Sequence, residues 1–275
     1  MRLRAMTLLI LTFFLGFSDT STGQFTSDEI AEDTIWEEFL ETAEITEKRQ
    51  LGGGEAAAKP WRIVLEKDGI KRHALWKNPE GLQEGYLEGW KWEIAAYRLD
   101  RYLGLNMVPP TVEREFQGKK GCCQLWVTAE MDMRKKIREK IQTPVGKVYS
   151  WNLAIYLHRA FDNLIANEDR HSGNILITKD WRMILVDHTR SFRTSEKFTT
   201  ELLYSEKHPE GPMIMKKLPR ALVGKLKALN PESMKDVVGQ YLTDTEIEAV
   251  LMRRALILEE IDKLIKRHGE ADVLY

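Results

Sequence analysis

Three pieces follow one another between residues 151 and 187, and this succession constrains the chain more than any other feature: a helix-patterned apolar stretch, a polar run and an apolar hairpin. Residues 151–166 carry Leu153, Tyr156, Leu157, Ala160, Phe161, Leu164 and Ile165 at helical spacing, with Ser150 as the expected N-cap. Residues 174–178 predict a short strand, Lys179-Asp180 a turn, and residues 181–186 the returning strand. A hairpin brings its open ends together, so Asn174 and Asp187 are expected side by side. The preceding helix delivers Asn167-Glu168-Asp169-Arg170-His171-Ser172-Gly173-Asn174 to that mouth.

The groups gathered there suit phosphoryl transfer: a carboxylate to orient an attacking hydroxyl, and oxygen ligands for magnesium. The ordinary alternative is a polar turn with Asx hydrogen bonding at strand ends. Clustering of Asp, Arg, His and Asn between two apolar segments argues for a site instead.

The Asn-x-Asp-Arg-His-x-x-Asn run, together with Val186-Asp187-His188-Thr189-Arg190-Ser191-Phe192, resembles the catalytic core of the phosphatidylinositol 3-/4-kinase-like group, including its uncharacterised bacterial-type members. It is also similar to the cores of HipA-type kinases and of the secretory-pathway casein kinases. The likeness runs from about Trp36 to the C-terminus and is specific as a set of motifs. It implies an α+β, bilobal protein-kinase-like fold, with a small β-rich N-lobe containing one long helix and a mainly helical C-lobe. The implied activity is ATP- and Mg2+-dependent phosphotransfer to a hydroxyl of a protein, lipid or small molecule. A catalytically inactive binding module and an AMP-transferring enzyme are the alternatives. On this resemblance Asp169 is the catalytic carboxylate, and Asn174 and Asp187 hold magnesium. Arg170 and His171 brace the loop, with His171 near the transferring group.

The same pattern asks for a lysine on an N-lobe strand and a glutamate on the next helix. Lys77, ending Arg72-His-Ala-Leu-Trp-Lys77, and Glu93 fit these roles. A lysine ammonium is a point charge suited to phosphate oxygens, and a helix carboxylate fixes where it sits. Trp92, Ala95, Ala96, Leu99, Tyr102 and Leu103 make one helical face, which Gly104 ends, and Glu93 lies at its margin. The chain departs from conventional protein kinases in three places. Asp187-His188-Thr189 stands for Asp-Phe-Gly, and Glu168-Asp169-Arg170-His171 for His-Arg-Asp. Gly52-Gly53-Gly54 replaces the longer glycine loop; it either lets amides approach phosphates or serves as a hinge.

The remaining signals set the context. A chain of 275 residues with 43% hydrophobic content is long enough to bury a sizeable core. Its net charge of -1 supplies no general attraction for nucleic acid. The run from Arg134 to Lys140, and the group Arg190, Arg193, Lys197 and Lys207, are either solvated faces or receivers of an anionic lipid or substrate. Arg2 and Arg4, apolar residues 6–17 and polar residues 18–23 have the layout of a secretory signal peptide, with Ser21 and Gly23 near the cleavage position. The apolar run falls short of the roughly 20 residues of a membrane span. Export is therefore expected, unless the start codon is placed too early and the protein is cytoplasmic. An exported enzyme needs a compartment holding ATP or an unusual donor.

Cys122 and Cys123 are adjacent in a strand-like stretch, so they point to opposite faces and are expected to pack rather than to bridge or bind metal. On the kinase resemblance, residues 125–128 form the hinge that meets adenine. Residues 24–50 read as an acidic helical lead-in with Ile35, Trp36, Phe39, Leu40 and Ala43 on its apolar face. Residues 51–128 read as the N-lobe and 129–275 as the C-lobe. Residues 188–219 suit a substrate-facing loop. Helices are expected over 218–229, 231–241 and 243–267, the last capped by Thr243 or Asp244.

Overall fold

In the computed structural model, which describes residues 25–52, 59–83 and 85–275, the chain enters through two short acidic helices, α1 (Ser27–Ala31) and α2 (Asp33–Thr42). Strands β1 (Glu44–Gln50), β2 (Trp61–Lys67) and β3 (Ile70–Lys77) follow. A small hairpin of β4 (Glu80–Gln83) and β5 (Tyr86–Gly89) then leads into helix α3 (Lys91–Leu103). Strands β6 (Thr111–Phe116) and β7 (Lys119–Leu125) complete a five-stranded antiparallel sheet of order β1-β2-β3-β7-β6.

Strand alternation decides what lies on each face of this sheet. Ala74 and Trp76 of β3 join Ile63, Leu65, Val112, Phe116 and Cys123 in one apolar cluster, which Phe39, Leu40 and Ala43 of α2 cover. Arg114 on β6 donates to the carbonyls of Leu40 and Ala43, satisfying the open C-terminal end of α2. The opposite face carries Lys77 and Cys122 and receives α3. Helix α3 also packs on the C-terminal helices, so it is wedged between the two halves. Its end is a left-handed Gly104, as the sequence predicts.

The second half begins with β8 (Met131–Asp132) and α4 (Met133–Arg138), then the long helix α5 (Val148–Ile165). Strands β9 (Ile175–Ile177) and β10 (Met183–Leu185) pair antiparallel, and with β8 they make a three-stranded sheet. Helices α6 (Glu196–Thr200), α7 (Arg220–Ala228), α8 (Pro231–Val238), α9 (Asp244–His268) and α10 (Glu270–Val273) follow. Helix α5 is buried along most of its length against the Ile247, Val250, Ile257, Ile261 and Leu264 stripe of α9. Thr243 caps α9 in a reciprocal box with Glu246. The architecture is thus the expected α+β arrangement of a sheet-rich and a helical lobe.

Four local expectations change. The helical lead-in stops at Thr42, and Glu44–Gln50 becomes an edge strand, mostly exposed and without an apolar rhythm to betray it. Helix α5 starts at Val148, so Ser150 lies inside its first turn and its hydroxyl donates to Lys147 O rather than capping. The connection between β9 and β10 is longer than a two-residue turn, with Trp181 in a left-handed conformation. Residues 201–219 are packed rather than loose. Asn163 exchanges hydrogen bonds with both backbone groups of Tyr204, and Arg159 donates to Ile214 O. Residues 1–23 lie outside the described residues. Among the described residues no helix is long and apolar enough to cross a membrane.

Leu40 is fully buried under α2. Leu40→Ala is expected to lower the unfolding free energy by about 2–5 kcal/mol, read as a lower urea midpoint with unchanged slope. An unchanged midpoint would show that α2 does not pack on the sheet.

Candidate active site

The end of β3, the first turn of α3 and the residue after β10 converge on a single ammonium. Lys77 Nζ lies 2.5 Å from Glu93 Oε1 and 2.8 Å from Asp187 Oδ1. Lys77 is 8% exposed and Glu93 fully buried. Burial alone would favour neutral groups here. Against it, the Asp187 and Glu93 carboxylates hold the ammonium far above its ordinary range. Burial works against the Glu93 charge too, yet Lys77 and His188 hold that carboxyl below its usual range. Enclosure opposes ionisation of Asp187, and Lys77 with the Thr189 hydroxyl outweighs it, leaving Asp187 far below the carboxylate range. The stabilisation from these pairs is present through neutral pH; it falls away as the pH drops below the ordinary carboxylate range and Asp187 and Glu93 take up protons, and again above the ordinary lysine range as Lys77 loses its proton.

His188 closes the arrangement from the other side. Its backbone N–H donates to Glu93 Oε1 at 2.8 Å, and its ring Nδ1 lies 3.3 Å from Glu93 Oε2. Burial first, then the nearby Arg170 charge, lowers the imidazole pKa, so the ring is neutral with its proton on Nδ1. Nε2 is buried without a hydrogen-bond partner among the described residues. Glu93 is therefore gripped by Lys77 from the sheet and by His188 from the catalytic hairpin. Asp187 itself has φ of 62°, a conformation a non-glycine residue keeps only when its surroundings impose it. Both of its recorded side-chain bonds end on Oδ1. Oδ2 takes part in none among the described residues, on a side chain 41% exposed.

The loop of residues 167–174 is positioned by the end of α5. Ala166 takes a left-handed conformation, and Asn167 N returns to Asp162 O. Asn167 is buried and works in two directions, its Oδ1 accepting from Asp169 N–H at 3.1 Å and its Nδ2 donating to Asp187 O at 3.4 Å. Arg170 is buried in a bidentate pair with Asp162, Nε to Oδ2 at 2.9 Å and Nη2 to Oδ1 at 3.1 Å. Its Nη1 donates to Asn174 O and Val186 O, joining the two open ends of the hairpin. Val186 N returns to Asn174 O at 3.1 Å, so Asn174 and Asp187 lie at one mouth. Asn174 Nδ2 donates to Asp169 O, leaving its Oδ1 outside any hydrogen bond among the described residues. Buried Arg253 of α9 donates to Leu164 O and Arg193 O, tying the helix end to the segment after Asp187.

Lys77, Glu93, Asn174 and Asp187 are thus brought together, with Asp169 beside them and Arg170 beneath. His171 is exposed and turns back on its own loop, Nδ1 accepting from Gly173 N–H at 3.0 Å. Gly52 lies in the connection between β1 and β2, with φ of 84° and open space around it. Gly53 and Gly54 lie outside the described residues. Residues 125–128 lead from β7 toward the second sheet, and Trp126 N–H is already spent on His73 O. Cys122 and Cys123 are free, buried and on opposite faces. Burial, then Glu93, pushes the Cys122 thiol up, and burial pushes Cys123 up to about 12.

Two of the four cations after Asp187 are already engaged. Arg193 pairs with Glu168, and Arg190 lies between Glu88 and Asp169, so both guanidiniums face carboxylates. The clamp that holds them was absent from the sequence reading: Gly89 N–H donates to Thr189 O, and Arg193 Nη2 to Leu87 O. Asp162, Asn167, His188 and Glu88 were likewise missed as positioning groups. Asn167 was the most accessible of these, an Asx residue two before the candidate aspartate.

No protein-family profile matches the chain. Protein Rv2133c of Mycobacterium tuberculosis is 26% identical over an alignment of 212 residues that covers 68% of this chain and 72% of that protein. The structure of hydra Fam20 with sugar superposes with a TM-score of 0.64 at 17% identity, covering 91% of this chain and 94% of its own. The Golgi casein kinase with Mn and ADP bound gives 0.63 at 16% identity, covering 92% of this chain and 80% of its own. The chain therefore has the bilobal kinase-like fold of Fam20 and the Golgi casein kinase. The likeness to casein kinase cores extends to the whole fold, whereas that to phosphatidylinositol kinases stays one of motif.

Arg170→Met leaves Asp162 as an uncompensated buried charge and is expected to cost about 3–5 kcal/mol of stability. Asp162→Leu combined with Arg170→Met is expected to recover much of this in a double-mutant cycle read by urea unfolding. Additive losses would show that the two groups are not paired.

Proposed function

We propose that this protein is an ATP- and magnesium-dependent phosphotransferase that transfers the γ-phosphoryl group to a hydroxyl. The observation that carries this reading is the convergence of Lys77, Glu93 and Asp187 with Asn174 and Asp169 at one mouth. The Mn- and ADP-bound casein kinase of the same fold supports use of a nucleotide and a divalent cation.

Asp187 Oδ2 and Asn174 Oδ1 are hard oxygen donors free of hydrogen bonds among the described residues, which suits magnesium. They are the residues that would hold it, with phosphate and water oxygens completing its shell. Bound there, the metal would neutralise charge on the β- and γ-phosphates. Lys77, fixed between two carboxylates, offers one ammonium to phosphate oxygens without having to reorganise. Gly52, Gly53 and Gly54 follow β1 in sequence, and in this reading their backbone amides would approach the phosphates. Residues 125–128 leave the sheet where adenine would dock. Asp169 orients the acceptor hydroxyl and takes its proton, and Asn167 keeps it in register with Asp187. Arg170 acts as a structural pillar under both strands of the hairpin.

Among the neighbours of this fold one is named a casein kinase and the other was determined with a sugar, so a protein and a sugar are the two acceptor classes to try first. A cleft of about 580 Å³ beside Glu168, lined by Tyr86, Leu87, Trp92, Arg193, Ser195 and Phe198, is the side from which an acceptor would approach Asp169. Export belongs to the same reading: residues 1–23 have a leader's layout, and one structural neighbour is a Golgi kinase.

The test uses the protein from Gln24 onward. ATP is expected to bind with magnesium present, and Asp187→Ala to weaken that binding by more than about tenfold. Asp169→Ala is expected to bind nucleotide as the wild type does while lowering turnover about 10²–10⁴-fold. The mass gained by a modified acceptor distinguishes one phosphate from one adenylate. Absence of nucleotide binding by the folded protein would overturn the proposal in favour of a non-catalytic module.

A further inference from the structure

Apart from Arg170, which is buried under the loop, three basic side chains lie around the Asp169 loop among the described residues: His171, Arg134 and Arg190. His171 is exposed and turned back on its own loop, its Nδ1 accepting the Gly173 N–H. Arg134 of α4 lies over the loop, its guanidinium filling the space a side chain at Gly173 would need, but it is exposed and no described partner fixes it. Arg190 is different. Its Nε and Nη2 point to Glu88 Oε1 at 2.9 and 2.7 Å, and its guanidinium lies 4.1 Å from the centre of the Tyr86 ring. Both holding residues sit on β5, and the Gly89 to Thr189 hydrogen bond stitches that strand to the segment carrying Arg190. The remaining nitrogen, Nη1, faces Asp169 Oδ2 at 3.5 Å, too long for a made hydrogen bond.

We infer that Arg190 is a second cation of the transfer site, whose Nη1 contacts the phosphoryl group in flight, and that Glu88 and Tyr86 are its positioning residues. The inference rests on the phosphotransferase reading above. In that step the acceptor oxygen forms the new P–O bond as the bond from the γ-phosphorus to the ADP oxygen breaks. The electron pair of the broken bond leaves on the β-phosphate of ADP, and the hydroxyl proton passes to Asp169. Charge on the three equatorial oxygens is what a preorganised guanidinium stabilises. Nη1 stands next to Asp169, where the acceptor and the phosphoryl group must meet. Glu88 occupies the other edge of the fork, so the guanidinium is fixed in direction before nucleotide arrives. The hairpin β4–β5 is thereby a device for aiming one side chain.

The test measures affinity for magnesium-ADP alone and for magnesium-ADP with aluminium fluoride, which mimics a phosphoryl group in transfer. The wild type is expected to bind the fluoride complex more tightly than ADP. Arg190→Ala is expected to keep the magnesium-ADP affinity within about twofold and to lose at least about tenfold of the fluoride tightening. Arg190→Lys keeps the charge without the fork and is expected to recover only part. Glu88→Gln is expected to reduce the tightening while leaving ADP affinity unchanged. Equal tightening in the wild type and Arg190→Ala, or no tightening in a wild type that binds magnesium-ADP, would overturn the inference alone. A parallel loss of ADP affinity and fold stability in Arg190→Ala would make the residue merely structural. A wild type that does not bind magnesium-ADP would overturn the phosphotransferase reading, and with it this one.

Discussion

One buried ammonium organises the molecule. Lys77 belongs to the sheet, Glu93 to the helix between the lobes, and Asp187 to the hairpin of the helical lobe. Taking a lysine and a glutamate out of water is costly, and the arrangement persists because every charge meets its opposite at hydrogen-bonding distance. Each partner also depends on a further shell. Glu93 is held again by His188, Asp187 by Thr189, and the hairpin under Asp187 by the Arg170–Asp162 pair. The two lobes are therefore joined through a polar network as well as by apolar packing.

That network differs from one built around an aromatic residue after the aspartate. His188 donates from both its backbone and its ring to the same carboxylate, so the segment after Asp187 is latched to the first turn of α3. Helix α3 is further wedged against α7 and α8, and Trp92 donates to Glu246 at the start of α9. A helix held at so many points fixes the position of the lysine ammonium, which is what electrostatic preorganisation requires. The left-handed residues Ala166, Asp187 and Phe192 fall at three bends of the same region, where surrounding contacts impose backbone conformations that local preference disfavours.

Much of this was legible in the sequence wherever a period was strong. The helix ending at Ile165, the hairpin after it and the glycine stop of α3 follow from apolar spacing and from the left-handed conformation required at Gly104. The juxtaposition of Asn174 and Asp187 followed from hairpin geometry alone. Lys77 and Glu93 were reachable only through resemblance, because nothing local links a strand end to an aspartate 110 positions on. The start of α5 was misplaced because Val148 and Tyr149 are exposed and add nothing to the apolar stripe. β1 was missed because its residues are charged and lie on a sheet edge. The β4–β5 arm escaped notice because its strands are four residues each, with Leu82, Tyr86 and Leu87 exposed, so no face is apolar. Its role appears only once Arg190 is seen against Glu88.

The central claim is that the Asn174–Asp187 mouth beside Lys77 is where nucleotide and divalent cation meet. A crystal structure of the protein from Gln24 onward, grown with manganese and ADP and examined for anomalous scattering, tests it most directly. The account predicts a manganese peak bound by Asp187 Oδ2 and Asn174 Oδ1, with the ADP phosphates against Lys77. Nucleotide bound elsewhere, or manganese absent from that mouth with ADP in place, would contradict it.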